Sequence, residues 1–232
     1  MQTKTIHRFK NTEMKNIRYM FLLSLLFGFT TYAQGTYYKL NDNQTLNQIE
    51  YGNLEKAMRA SGITPKIVKT QERNDSIIKT IGLFDSKTEA NYDKFREGIG
   101  TSFKIEKFKD KSGNYYSHDY LKNKPTVVHF WFTTCTPCVA EIPNLNIMKA
   151  RFNDSVNFIA ITFEKEKLVT DFLKTRPINF EHIVNSQKQL DQLDIKYYPM
   201  TLLLDKDGKI VEVYSQIKLF DEEINSKLKS LL

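Results

Sequence analysis

Cysteine is scarce in this chain of 232 residues: only Cys135 and Cys138 are present. A disulfide-stapled scaffold is therefore excluded, because at most one pair can form. With 6 prolines and 9 glycines the chain is neither collagen-like nor low in complexity, and a mostly folded protein is expected. His118, His129 and His182 are scattered without ligand spacing, and two cysteines alone give half of a zinc site, so no metal is expected. The basic excess is small once it is located. Five of the 34 basic residues and one of the 27 acidic ones lie within residues 1–33, and without that segment the formal charge falls from +7 to +3. No nucleic acid partner is expected on that balance.

Residues 1–33 have the organisation of an export leader. Lys15 and Arg18 form a positive flank, residues 19–29 are strongly apolar, and Thr31 and Ala33 supply small residues for cleavage. The apolar stretch falls short of the roughly 20 residues that a membrane helix needs. Met14 is a plausible start. The expectation is export to the periplasm or cell envelope as a soluble protein after cleavage, with a retained N-terminal membrane anchor as the alternative.

What is present centres on residues 127–143. An apolar run of strand length ends at Thr133 and Thr134, Cys-x-x-Cys follows, and helix-compatible sequence comes next. This reads as strand, tight turn and helix, with Cys135 at the helix N-terminus. There the helix dipole and unpaired backbone N–H groups favour thiolate over thiol. As a structural staple the pair would close a very short loop and restrict the unfolded chain little. The chemistry implied is thiol–disulfide exchange.

Around this stretch the chain divides into a leader at 1–33, a small α+β domain at 34–98 and a catalytic domain at 99–232. In the middle section a helix is expected over 46–60, ended by Ser61-Gly62, and a hairpin over 66–84 turning at 72–75. The charged stretch 85–98 reads as a connector. From residue 99 the pattern predicts a β-hairpin, 103–108 and 115–117, followed by a capped turn after Ser117. Strands follow at 126–132, 156–163, 182–184, 200–204 and 210–214, and helices at 136–152, 165–175, 187–193 and 220–232. Ile142, Leu145, Met148 and Phe152 form one face of the first of these helices, with Pro143 expected to kink it. The fold class is α/β: a mixed central sheet flanked by helices.

This arrangement resembles the thioredoxin superfamily, specifically the exported TlpA/ResA-like thiol–disulfide oxidoreductases. The resemblance covers residues 99–232 and is carried by Phe130-Trp131, Cys135-Thr136-Pro137-Cys138, Glu141, Pro143 and Tyr198-Pro199. It implies a thioredoxin-like fold with an N-terminal hairpin extension, and no cofactor beyond a redox-active Cys135–Cys138 disulfide. Cys135 would be the exposed attacking thiol and Cys138 the buried resolving thiol. Pro137 would stiffen the turn, and Pro199 would follow a cis peptide bond facing the sulfurs. Tyr198 would offer its backbone to an extended substrate, with Trp131 and Thr134 bordering the site. Glu141, three residues after Cys138, would modulate thiol ionisation. Thr134 replaces a tryptophan common in the family, and His129 stands where relatives carry an acid or an asparagine. His129 is either a core histidine bonded to a neighbour or a proton relay to Cys138.

The activity implied is protein-disulfide reduction. The partners are disulfide-bearing envelope proteins and an upstream thiol donor, for which a membrane electron carrier is a candidate. Pro137 after Thr136 resembles reducing members, and cytochrome c maturation is one route that such proteins serve. Two alternatives compete. A peroxiredoxin-like peroxidase wants Thr or Ser three residues before its reactive cysteine, where Phe132 stands for Cys135. A non-enzymatic binding protein would carry the dithiol as a vestige.

Overall fold

A computed structural model describes residues 35–232 apart from Asp42 and Asn74. The leader expected over 1–33, with its start and cleavage site, lies outside the described residues. The first elements are β1 (Gly35–Asn41), β2 (Gln44–Leu46), α1 (Gln48–Ala60), β3 (Ile63–Arg73), β4 (Ser76–Asp85) and α2 (Ser86–Arg96). They form a sheet of order β2-β1-β4-β3, in which β3 and β4 are the expected hairpin and β1 lies parallel to β4. Asn47 opens α1 with a capping box, its side chain accepting from Ile49 and Glu50 while Glu50 accepts from the Asn47 N–H.

Three features of this unit depart from the sequence reading. β1 and β2 were not expected. The stretch read as a connector is the helix α2, which Asp85 caps by accepting from Thr88 N–H at 2.8 Å. It escaped the apolar pattern because its inward face carries one aromatic and one acid, Tyr92 and Glu89, both buried.

The remaining elements are β5 (Thr126–Phe130), α3 (Thr136–Phe152), β6 (Asn157–Ile161), α4 (Glu166–Leu173), β7 (Glu181–Ile183), α5 (Gln187–Gln192), β8 (Met200–Leu204), β9 (Ile210–Tyr214) and α6 (Asp221–Leu231). The sheet order is β7-β6-β5-β8-β9, with β5, β6 and β7 parallel and β8 and β9 antiparallel to their neighbours. All residues of β5 and β8 are buried because both sheet faces are covered, which explains their nearly unbroken apolar runs. One face packs Val127, Trp131 and Leu203 against Leu145 and Met148 of α3 and Leu228 of α6. The other packs Val128, Phe130 and Leu202 against Phe103, Ile105, Phe108 and Leu190.

The expected hairpin at 103–117 is reduced to a single bridge, Lys109 with Tyr115, after a short 3₁₀ turn at Ile105–Lys107. Phe103, Ile105 and Phe108 are all buried, at spacings that strand alternation cannot bring to one side, so the chain turns to bury all three. Ser117 does cap the following 3₁₀ turn, accepting from Asp119 N–H. Helix α3 runs through Pro143 without interruption. No helix among the described residues is long and apolar enough to cross a membrane.

Candidate redox site

The two cysteines meet where β5 hands over to α3. Cys135 is the N-cap of α3, proline stands inside its first turn, and Cys135 and Cys138 are joined in a disulfide with Cα atoms 5.2 Å apart. The Cys138 N–H donates to Cys135 Sγ at 3.2 Å. The same N–H, at the positive end of a 17-residue helix, favours a thiolate on Cys135 when the bond is open. Cys135 was expected to be exposed. It is 4% exposed against 1% for Cys138, because the disulfide sits within the apolar cluster that Phe132 and Tyr198 border. Thr134 and Pro137 stand at the surface on either side of Cys135.

The turn is anchored by a residue that sequence reading passed over. Glu164, just beyond β6, accepts from both the backbone N–H and the hydroxyl of Thr133 at 2.8 Å each. Glu164 is in turn held by its own backbone, whose carbonyl accepts from Asn185 N–H. Only its place after a parallel strand end could have marked it.

Tyr198 and Pro199 enter β8 through a cis peptide bond, as expected. Pro199 is buried and Tyr198 half-buried. Tyr198 meets Phe132 edge-on at 5.4 Å and Phe163 at 5.9 Å, and those two phenylalanines lie 5.5 Å apart. This aromatic trio joins the Cys-bearing turn to the proline segment. Behind Pro199, the Tyr92 hydroxyl of α2 donates to the proline carbonyl at 2.6 Å.

Trp131 was expected to pack against the active-site turn and to border the substrate, and it does share one apolar cluster with Cys135 and Cys138. It is wholly buried, with its ring against Phe172 and His182, and so offers substrate no surface. The odd-numbered positions of β5 face α3, which is why this bulky ring lies under the site.

Two buried titratable groups stand on the elements that flank the cysteine turn, Glu141 on α3 and His129 on β5. Glu141, one helical turn after Cys138, is 3% exposed and neither of its oxygens has a hydrogen-bond partner. Burial pushes its carboxyl up from 4.5 to about 8, and the Ile217 and Lys218 N–H groups, which approach without closing a full hydrogen bond, offset this only in part. His129 is wholly buried in β5, opposite Thr201 of β8, and its Nδ1 lies 2.9 Å from the Thr201 hydroxyl. Burial, with a smaller contribution from His182, holds its imidazole down at about 3. It is a neutral core histidine bonded to a neighbour.

A central parallel strand leading into a Cys-x-x-Cys helix, beside an antiparallel strand that opens on a cis-proline, defines a thioredoxin-like protein with a redox-capable cysteine pair. Residues 99–213 match the AhpC/TSA family. Among curated relatives, the thiol-disulfide oxidoreductase ResA of Bacillus subtilis is 32% identical over 107 residues, which are 45% of this chain and 60% of that one. The thioredoxin-like protein YneN of the same species is 27% identical over 110 residues, 46% of this chain and 65% of that one. The chain thus spans less than two thirds of the length of these relatives. A solved thiol:disulfide interchange protein from Bacteroides sp. superposes with a TM-score of 0.46 at 21% identity, over 53% of this chain and 84% of that one.

Proposed function

We propose that the protein is an exported thiol–disulfide oxidoreductase that reduces disulfides of envelope proteins through Cys135 and Cys138. The observation that carries this reading is the closed Cys135–Cys138 pair at the head of α3, with a backbone N–H directed at the Cys135 sulfur. Reduced Cys135, as thiolate, attacks one sulfur of the substrate disulfide. A mixed disulfide forms and the other substrate sulfur leaves as a thiolate. Cys138 loses its proton and attacks Cys135 Sγ, which releases the second substrate thiolate and closes the Cys135–Cys138 bond. Two electrons pass from the pair to the substrate, whose thiolates take up two protons, and an upstream thiol donor reopens the pair. Apart from this disulfide, no cofactor takes part.

The buried carboxyl of Glu141 is the group best suited to exchange a proton with the Cys138 thiol, because a value near 8 poises it close to working pH. His129, held neutral by burial, is a poor acceptor for the Cys138 proton. Thr134, Pro137 and the Tyr198–Pro199 backbone form the substrate side, where an extended segment can add to the chain before β8. Export rests on the leader-like residues 1–33.

The test is capture. Cys138→Ser removes the resolving step, so the variant should retain envelope proteins in mixed disulfides through Cys135, identified by mass spectrometry after mild oxidation. Absence of any captured disulfide partner would overturn the reading. Peroxide consumption by the reduced protein without added disulfide would replace it with the peroxidase chemistry that Phe132 disfavours.

A further inference from the structure

Tyr92 reaches the site from α2, outside the 99–213 match, and the residue it bonds stands 107 positions further along the chain. Only 2% of its surface is exposed. A proline has no N–H, so its carbonyl is its one backbone polar group. Pro199 stands just before the β8 ladders, which begin at Met200 and Thr201, so neither neighbouring strand pairs with it. A buried carbonyl left in that state is costly, and the Tyr92 hydroxyl satisfies it.

Helix α2 grips the same segment at two further places. Lys94 pairs with Asp194 at 2.5 Å, and Phe95 packs on the cluster that Tyr197 and Tyr198 also border. On its other side the helix is tied to the N-terminal sheet. Glu89 is 3% exposed in its side chain and pairs with Lys66 of β3, while Arg96 lies 3.4 Å from it. Glu89 and Tyr92 are three residues apart and share one helix face. One anchors α2 to the first sheet, and the other anchors the proline segment to α2.

We propose that Tyr92 is a positioning residue for substrate binding. Its bond to the Pro199 carbonyl fixes the Tyr198–Pro199 backbone in the orientation that pairs with an extended protein substrate. The inference rests on the thiol–disulfide reading of the site and goes beyond it, because it gives the N-terminal unit a part in binding a substrate that it does not touch. A small disulfide that needs no backbone pairing is indifferent to this bond. An extended peptide disulfide depends on it.

The test compares full-length wild type and Tyr92→Phe, both reduced, against two substrates: a ten-residue peptide in mixed disulfide with glutathione, and 5,5′-dithiobis(2-nitrobenzoate). The loss of one buried hydrogen bond should raise KM for the peptide about fivefold with kcat within about twofold. The rate with the small disulfide should stay the same. The ratio of the two rate constants does not depend on the folded fraction, so destabilisation of the variant cannot imitate this result. Asn91→Ala, which removes a bond that α2 makes only to its own backbone at Lys87, should leave the ratio unchanged. Equal losses on both substrates, an unchanged peptide KM, or the same shift in Asn91→Ala would overturn the proposal. Wild type inactive on both substrates would instead overturn the exchange reading beneath it.

Discussion

Replacing Glu141 by glutamine keeps the shape of a buried side chain and removes its titration. The carboxyl is 3% exposed with both oxygens unpartnered, and burial holds its value at about 8 against 4.5 for an ordinary glutamate. Between those limits the folded protein keeps a proton that the unfolded chain has released. The contribution to stability is therefore complete below pH 4.5 and is lost as pH rises towards 8. The whole interval corresponds to on the order of 5 kcal/mol, of which about 3 kcal/mol is already lost at pH 7. Urea unfolding of the oxidised protein at pH 5, 7 and 8.5 measures it, since the closed disulfide keeps the cysteines from titrating. His129 and His182, both lowered by burial, act in another window: they destabilise the fold as pH falls below 6.5. That contribution is common to both proteins and cancels in the difference. Wild type should lose several kcal/mol relative to Glu141→Gln between pH 5 and 8.5. Parallel stability curves would refute the argument that burial dominates this carboxyl.

Two other substitutions separate structural from chemical roles. His129→Asn should cost about 1–2 kcal/mol in urea unfolding through the disturbed bond to Thr201. It should leave the pH profile of insulin reduction between pH 5.5 and 8 unchanged, because a histidine at about 3 is neutral throughout that range. A lost limb in that profile would restore the relay. Glu164→Ala removes both acceptors of Thr133 and should cost about 1–3 kcal/mol and slow disulfide transfer. Unaltered thermal unfolding and transfer rate would show that the turn holds itself.

The C-terminal unit is legible in the sequence wherever burial is simple. β8 and β9 fall at their expected bounds, because five consecutive buried positions before Asp205 and the β-branched and aromatic run Ile210–Tyr214 after Gly208 leave only a turn between them. Gly208, at φ +73° with Leu121 pressed against it, is the residue that such a turn requires. Cys135, Cys138 and Glu141 stand together because spacing along one helix is a local property. What was not legible is contact between distant segments. Glu164 reaches Thr133 across 31 residues and Tyr92 reaches Pro199 across 107, and no local pattern encodes either bond. Trp131 packs against the cysteine turn as expected but borders no substrate, because the alternation along the strand does not say which face α3 will cover.

In the proposed reaction Cys135 and Cys138 deliver two electrons to a protein disulfide. The most direct measurement mixes reduced wild type with an equimolar disulfide protein, quenches with alkylating agent, and counts free thiols on both by mass spectrometry. One Cys135–Cys138 disulfide should close for each substrate disulfide opened, and Cys135→Ser should transfer nothing. Substrate disulfides that stay intact while the reduced pair remains open would contradict the account.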